Sequence, residues 1–137
     1  MADKPVFVLD GFALLAYLQG EAGMERVQKA LEKAEKGQAL VTMSIVNLGE
    51  VLYIIEREKG LSKAHEVLSV VQQLPLQIIP ADNQTVLAAA HIKANHALSY
   101  ADAFAVICAQ SLGGIVLTGD KEFESVNSLV SIEWLPR

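Results

Sequence analysis

Four short apolar runs punctuate the chain at VFVL (6–9), ALVT (39–42), LQII (76–79) and IVLT (115–118), and helical patterns fill the spaces between them. Buried β-branched runs of four residues are too short for helices and read as strands, while the intervening stretches carry helical periodicity, caps and stops. Ser44 is placed to cap IVNLGEVLYIIEREKG, Ser62 to cap KAHEVLSVVQQL, Asn83 to open QTVLAAAHIKANHA, and Ser99 to begin YADAFAVICAQ, which Gly113 and Gly114 end. The tail VSIEWL alternates as a short last strand does. Strands separated by helices predict an α/β fold: a mainly parallel central sheet of four to five short strands with helices on both faces, three layers in all. With 137 residues and no repeat or linker, the expectation is one domain over 1–137.

Composition narrows the function. A formal net charge of −5 argues against a sequence-blind nucleic-acid coat, which needs many cationic phosphate contacts, but not against an enzyme that meets phosphates through bound cations. The 52% hydrophobic content exceeds what a small core requires and points to an oligomer or partner surface, although a large core absorbs some of it. FALLAYL (12–18), apolar nearly all round, is either wholly buried or partly at such a surface. The single cysteine, Cys108, lies in an apolar helix and reads as a packed thiol in a reducing compartment. Neither a secretory signal nor a membrane-length apolar run is present, so a cytoplasmic protein is expected.

Most of the 16 acidic residues lie among lysines and arginines on outward helix faces. Four do not. Asp10 directly follows VFVL, Asp120 follows IVLT by one glycine, Asp102 lies in the first turn of an apolar helix, and Glu50 has Val46, Asn47, Tyr53 and Ile54 as its one-turn neighbours. In a parallel sheet the residues after strands gather at one edge. The helix of Glu50 starts there, and so does the helix of Asp102, because it feeds the strand before Asp120.

Each acid also has a plainer reading. Asp10 and Asp120 could be helix N-caps, Asp102 could close an S-x-x-D capping box with Ser99, and Glu50 could reach solvent along its stem. Together, however, four converging carboxylates with no neighbouring cation would repel: at ~4 Å and an effective dielectric of ~20, each close pair costs on the order of 4 kcal/mol. Protonation or a hard cation relieves this, and an all-oxygen set suits Mg²⁺ or Mn²⁺. Zinc does not fit, since Cys108 stands alone and His65, His91 and His96 lack zinc-site spacing. A receiver domain wants a second acid after the first strand, a haloacid-dehalogenase phosphatase wants D-x-D, and a Rossmann domain wants G-x-G-x-x-G; VLDGFALL satisfies none of them.

In their order and spacing, FVLDGFALLAYL, SIVNLGEVL, SYADAFAVICAQ and VLTGDKEF resemble the PIN-domain nucleases, and in particular the VapC toxins of toxin–antitoxin pairs. The resemblance covers nearly the whole chain and implies a PIN-like fold. It also implies an acidic quartet of Asp10, Glu50, Asp102 and Asp120 holding Mg²⁺ or Mn²⁺ for RNA cleavage, a homodimer, and a small antitoxin whose C-terminal segment occupies the active-site groove. Asp10 and Asp102 are the first choice for direct ligands, with Asp120 and Glu50 as ligands through water or orienters of the attacking water. Thr118 and Lys121 are candidate phosphate contacts, although Lys121 reads more readily as a solvated loop charge. Two departures stand out: Gly11 replaces the family's usual serine, threonine or asparagine, and Glu122 stands where a further aspartate is frequent. They keep open a catalytically weak PIN-like domain that binds RNA or a protein partner.

Overall fold

The computed structural model describes residues 4–137, so the first three residues of the expected domain lie outside it. Strand β1 (Val6–Leu9) leads into helices α1 (Gly11–Gln19) and α2 (Met24–Glu35), then β2 (Leu40–Ser44), α3 (Ile45–Lys59) and α4 (Leu61–Gln73). Strand β3 (Gln77–Ile79), helices α5 (Asn83–Asn95) and α6 (Tyr100–Leu112), strand β4 (Ile115–Thr118), a 3-10 turn (Lys121–Val126) and β5 (Ser131–Trp134) follow. All neighbouring strands pair in parallel, in the order β3-β2-β1-β4-β5.

Alternation along the strands sorts the core into two layers. Phe7 and Leu9 of β1 and Leu117 of β4 face α1 to α4, while Val8 and Val116 face α5 and α6. Winding runs outward from β1 to β3, then jumps back across the sheet through α5 and α6 to β4. That reversal leaves a crevice between the ends of β1 and β4, where an open α/β sheet accepts ligands.

Helix α6 is buried from Asp102 to Ala109, and its alanines at 103, 105 and 109 let it lie close to the strands. Cys108 is buried within it, and burial pushes its thiol pKa up. Helix α1 is not wholly buried: Ala13, Leu14 and Ala16 are buried, while Tyr17 and Leu18 are partly exposed and line a groove toward α3 and α4.

Two caps differ from expectation. Gly60, at φ +94°, ends α3 and starts α4 at once, which places Ser62 inside the helix rather than at its cap. Asp82, not Asn83, caps α5 by accepting the Thr85 N–H at 2.8 Å. Among the described residues, no helix is long and apolar enough to cross a membrane.

Candidate metal centre

All four expected acids reach the edge of the sheet at the β1–β4 crevice. Asp10 lies deepest, 1% exposed. Its Oδ1 accepts the Ala13 N–H at 2.9 Å and so caps α1, and its Oδ2 accepts the Thr118 hydroxyl at 2.5 Å. The same Thr118 oxygen accepts the Asp120 N–H at 3.0 Å. One buried hydroxyl therefore ties the ends of β1 and β4 together and fixes two acids relative to each other. Thr118 is 0% exposed and its single proton goes to Asp10, so the expectation that it contacts phosphate is corrected. Lys121 is exposed on the turn that follows.

Asp120 Oδ1 accepts the Glu122 N–H at 2.9 Å, so the plainer capping reading of Asp120 also holds. Asp102 is 5% exposed in the first turn of α6. Its backbone N–H donates to Ser99 Oγ at 3.1 Å, but the Ser99 N–H goes to Glu122 Oε1 at 2.9 Å. The capping box therefore does not close on Asp102; Glu122 stands in for it. Glu50, half-buried on α3, rests against the backbone at Gly11: a Cβ built there would lie 3.0 Å from Glu50 Oε1.

One oxygen each from Asp102, Asp120 and Glu122 falls within 4.8 Å of the others. Glu122 thus joins the site as a fifth acid. The sequence marks it only as standing where the family frequently has a further aspartate; its contact with Ser99 and its place beside Asp102 come from the return of the turn onto α6. Asn47 is a residue whose role sequence reasoning leaves out. It is fully buried one turn before Glu50, and its Nδ2 donates to the carbonyl of Ala101, next to Asp102, at 3.1 Å. Its Oδ1 is the one buried side-chain polar atom without a partner among the described residues. No sequence signal marks it, because its burial depends on α3 meeting α6.

The charges behave as a crowded acidic group should. Burial pushes Asp10 up to about 7 against the favourable bonds from Thr118 and Ala13, with repulsion from Asp120 adding to the rise. Burial likewise pushes Asp102 up to about 8, helped by Asp10, Asp120 and Glu50. Glu50 is raised by burial, then by Asp120 and Glu122. Among the described residues the ion pairs are Arg26–Glu133 and Lys63–Glu66, and neither touches this edge. A hard divalent cation fits the donor set, since every candidate ligand is a carboxylate oxygen and none is ion-paired among the described residues. The histidines stay away: His65 and His91 are exposed, and His96 Nδ1 lies 3.0 Å from the Ser125 carbonyl.

A family model described as PIN domain matches residues 7–129. No curated protein matches the sequence. Among solved structures, the chain is similar to the VapBC pair of Rickettsia felis bound to a fragment of promoter DNA. The TM-score is 0.72 at 13% identity, covering 96% of this chain and 99% of that one. It is also similar to a sarcin-ricin loop cleaving VapC toxin of Mycobacterium tuberculosis, with TM-score 0.70, 17% identity and coverage of 95% and 99%. A DNA-bound VapBC of Salmonella typhimurium gives 0.71 at 21% identity, covering 94% and 97%. At such identities the likeness is one of fold.

Proposed function

Because this chain belongs to the PIN domain family, we propose that it is a metal-dependent endoribonuclease and the toxin of a toxin–antitoxin pair. The observation that carries the reading is the meeting of Asp10, Glu50, Asp102 and Asp120 at the β1–β4 crevice with no lysine or arginine paired to them among the described residues.

In this reading Asp102, Asp120 and Glu122 hold Mg²⁺ or Mn²⁺, and Asp10 forms the floor of the site. When bound, the ion lowers the pKa of water and offsets negative charge at the phosphodiester. Thr118 keeps Asp10 and Asp120 in register, and Asn47 fixes the first turn of α6 and thereby Asp102. Glu50, its pKa raised, orients the attacking water and takes its proton. The acidic balance of the chain fits this division of labour, since the local positive charge comes from the ion.

The proposal includes a small antitoxin, in line with the VapBC complexes the fold resembles, and a homodimer. A groove of about 680 Å³ between α1, α3 and α4, lined by Tyr17, Leu18, Ile55, Val67, Lys59 and Lys63, suits an amphipathic antitoxin segment. Exposed Ile45, Tyr53, Leu87 and Tyr100 on α3, α5 and α6 offer apolar area for a second copy. An RNA substrate sets a cytoplasmic location within the proposal.

The test is direct. Mixed RNA is incubated with the protein and Mg²⁺ or Mn²⁺, with EDTA and Asp10→Asn as controls; cleavage that survives both controls overturns the proposal. Calorimetric titration with Mg²⁺ separates the nuclease from a subunit that binds RNA without metal.

A further inference from the structure

We propose that Trp134 and Arg137 receive an unpaired stretch of the RNA strand beside the acidic site, the indole stacking on a base and the guanidinium holding a phosphate. This deepens the nuclease reading and rests on it.

Strand β5 lies at the edge of the sheet next to β4, and Trp134 stands opposite Thr118 in the parallel register. Paired residues of parallel strands direct their side chains to the same face, and neighbouring strands lie about 4.8 Å apart. Trp134 therefore starts one strand spacing from the threonine that holds Asp10 and Asp120, on the same face. The pairing is pinned at its end: the Leu135 N–H donates to the Thr118 carbonyl at 2.8 Å, and Leu135 itself is buried. Trp134, in contrast, stays 43% exposed. A large aromatic residue left open beside a hydrolytic site, on a backbone held this firmly, makes a platform rather than a core residue.

Arg137 brings the cation. Its Nε donates to the carbonyl of Gly119 at 2.7 Å, one residue before Asp120. A guanidinium has five N–H donors, and among the described residues this bond is the one Arg137 makes, so four remain for a ligand. The arginine across the sheet is not available in this way, because Arg26 is tied to Glu133 and lies over the Phe7 ring. At an edge crowded with carboxylates, in a chain of net charge −5, a fixed cation next to the site adds to the positive charge the ion brings to a phosphate. Arg137 is anchored at the right place, and its planar fork suits phosphate oxygens.

The chemistry selects the substrate class. Bases in a duplex stack on one another and offer no face to an indole, whereas bases in single strands, loops and bulges do. The site should therefore prefer RNA that is unpaired on the side of the cut that runs over β5.

Trp134 is the only tryptophan in the chain, so its emission reports the contact without a label. The Mg²⁺-loaded full chain is mixed with octauridylate in stopped flow, emission is read ahead of cleavage, and cleavage is followed in the same mixture. We expect saturable quenching, a KM raised about tenfold in Trp134→Ala with kcat within about twofold, and partial rescue by Trp134→Phe. Arg137→Ala should weaken the quenching titration about tenfold, with Arg137→Lys between it and the parent and Mg²⁺ affinity unchanged in all four. RNA that is cut while emission and KM stay constant overturns this proposal and leaves the nuclease reading intact. Loss of kcat, Mg²⁺ affinity and melting temperature together in Arg137→Ala reduces that arginine to a structural tether and overturns its part. Quenching without cleavage sustains the contact and overturns the nuclease reading alone; neither quenching nor cleavage overturns both.

Discussion

The backbone N–H of Ser99 donates to Glu122 Oε1 at 2.9 Å, in the place where an S-x-x-D box would have put the carboxylate of Asp102. The turn after β4 thus caps α6 from outside, and the Asp102 side chain is left free for the site. Removing Glu122 should let Asp102 swing back to the vacant N–H. Calorimetry on Glu122→Ala should then show Mg²⁺ affinity reduced by roughly 10- to 100-fold, while stability changes by less than about 1 kcal/mol because a carboxylate still caps the helix. Glu122→Gln keeps the acceptor for the Ser99 N–H but loses the charged ligand, so it should recover only part of the affinity. If the two variants lose affinity equally, Glu122 acts through its charge and not through Ser99.

Asp102→Asn separates metal binding from structure. Asp102 is held up at about 8 by burial and by three acidic neighbours, so a neutral amide relieves repulsion without costing the helix its cap. Melting in EDTA should be unchanged or higher than that of the parent. In Mg²⁺ the order should reverse, because the parent gains the binding free energy, about 2.7 kcal/mol at a concentration 100 times Kd, and the variant does not. A large fall in EDTA would show that the carboxylate has a structural partner.

The acids also set a pH dependence. Asp10 at about 7 and Asp102 at about 8 both stand above the ordinary carboxylate value near 3.9, so the folded state holds protons that the unfolded chain releases. Stability from these groups is complete below about pH 4 and drains away as pH rises through about 7 to 8. Glu50 acts in the same direction. Asp82, whose pKa is lowered by Thr85, contributes in the opposite sense, but only as pH falls below the ordinary range. Melting curves in EDTA should therefore fall between pH 5 and pH 8, with a shallower fall in Asp10→Asn. Saturating Mg²⁺ should flatten or invert the trend, since binding favours the deprotonated acids. A parent protein whose melting temperature climbs across this window in EDTA would falsify the account of buried, mutually repelling acids.

The edge on which the acids meet was legible from chain path alone. Asp10 and Asp120 follow strands, Asp102 and Glu50 lie in the first two turns of helices that start at the same edge, and a parallel sheet sends all four positions the same way. The order of the strands was not legible, because it depends on how α5 and α6 pack when the chain recrosses the sheet. For the same reason the β1–β4 crevice, Asn47 against Ala101, and Glu122 against Ser99 all escape a reading along the sequence. Each is a contact between segments at least 23 residues apart, made by side chains that look ordinary beside their neighbours. Ser62 and Asn83 show the opposite limit, where another residue one or two positions earlier, Gly60 or Asp82, took the cap instead.

Gly11 provides the sharpest test of how the site tolerates its departure from the family pattern. A Cβ there would lie 3.0 Å from Glu50 Oε1 and 3.7 Å from Val51 Cγ2, so Glu50 must yield by a few tenths of an ångström while the backbone need not move. The residue opens α1 without a left-handed backbone, and alanine in a helix is worth up to about 1 kcal/mol over glycine. Gly11→Ala should therefore melt at the same temperature or higher, yet cut RNA several-fold more slowly. A displacement of about 1 Å can cost on the order of 100-fold in rate, and this one is smaller. Gly11→Ser makes the same steric demand and adds a hydroxyl where the family usually carries a polar side chain. Activity above that of the alanine variant isolates the contribution of that hydroxyl. Equal activity in glycine, alanine and serine forms would mean that the position of Glu50 does not govern the reaction.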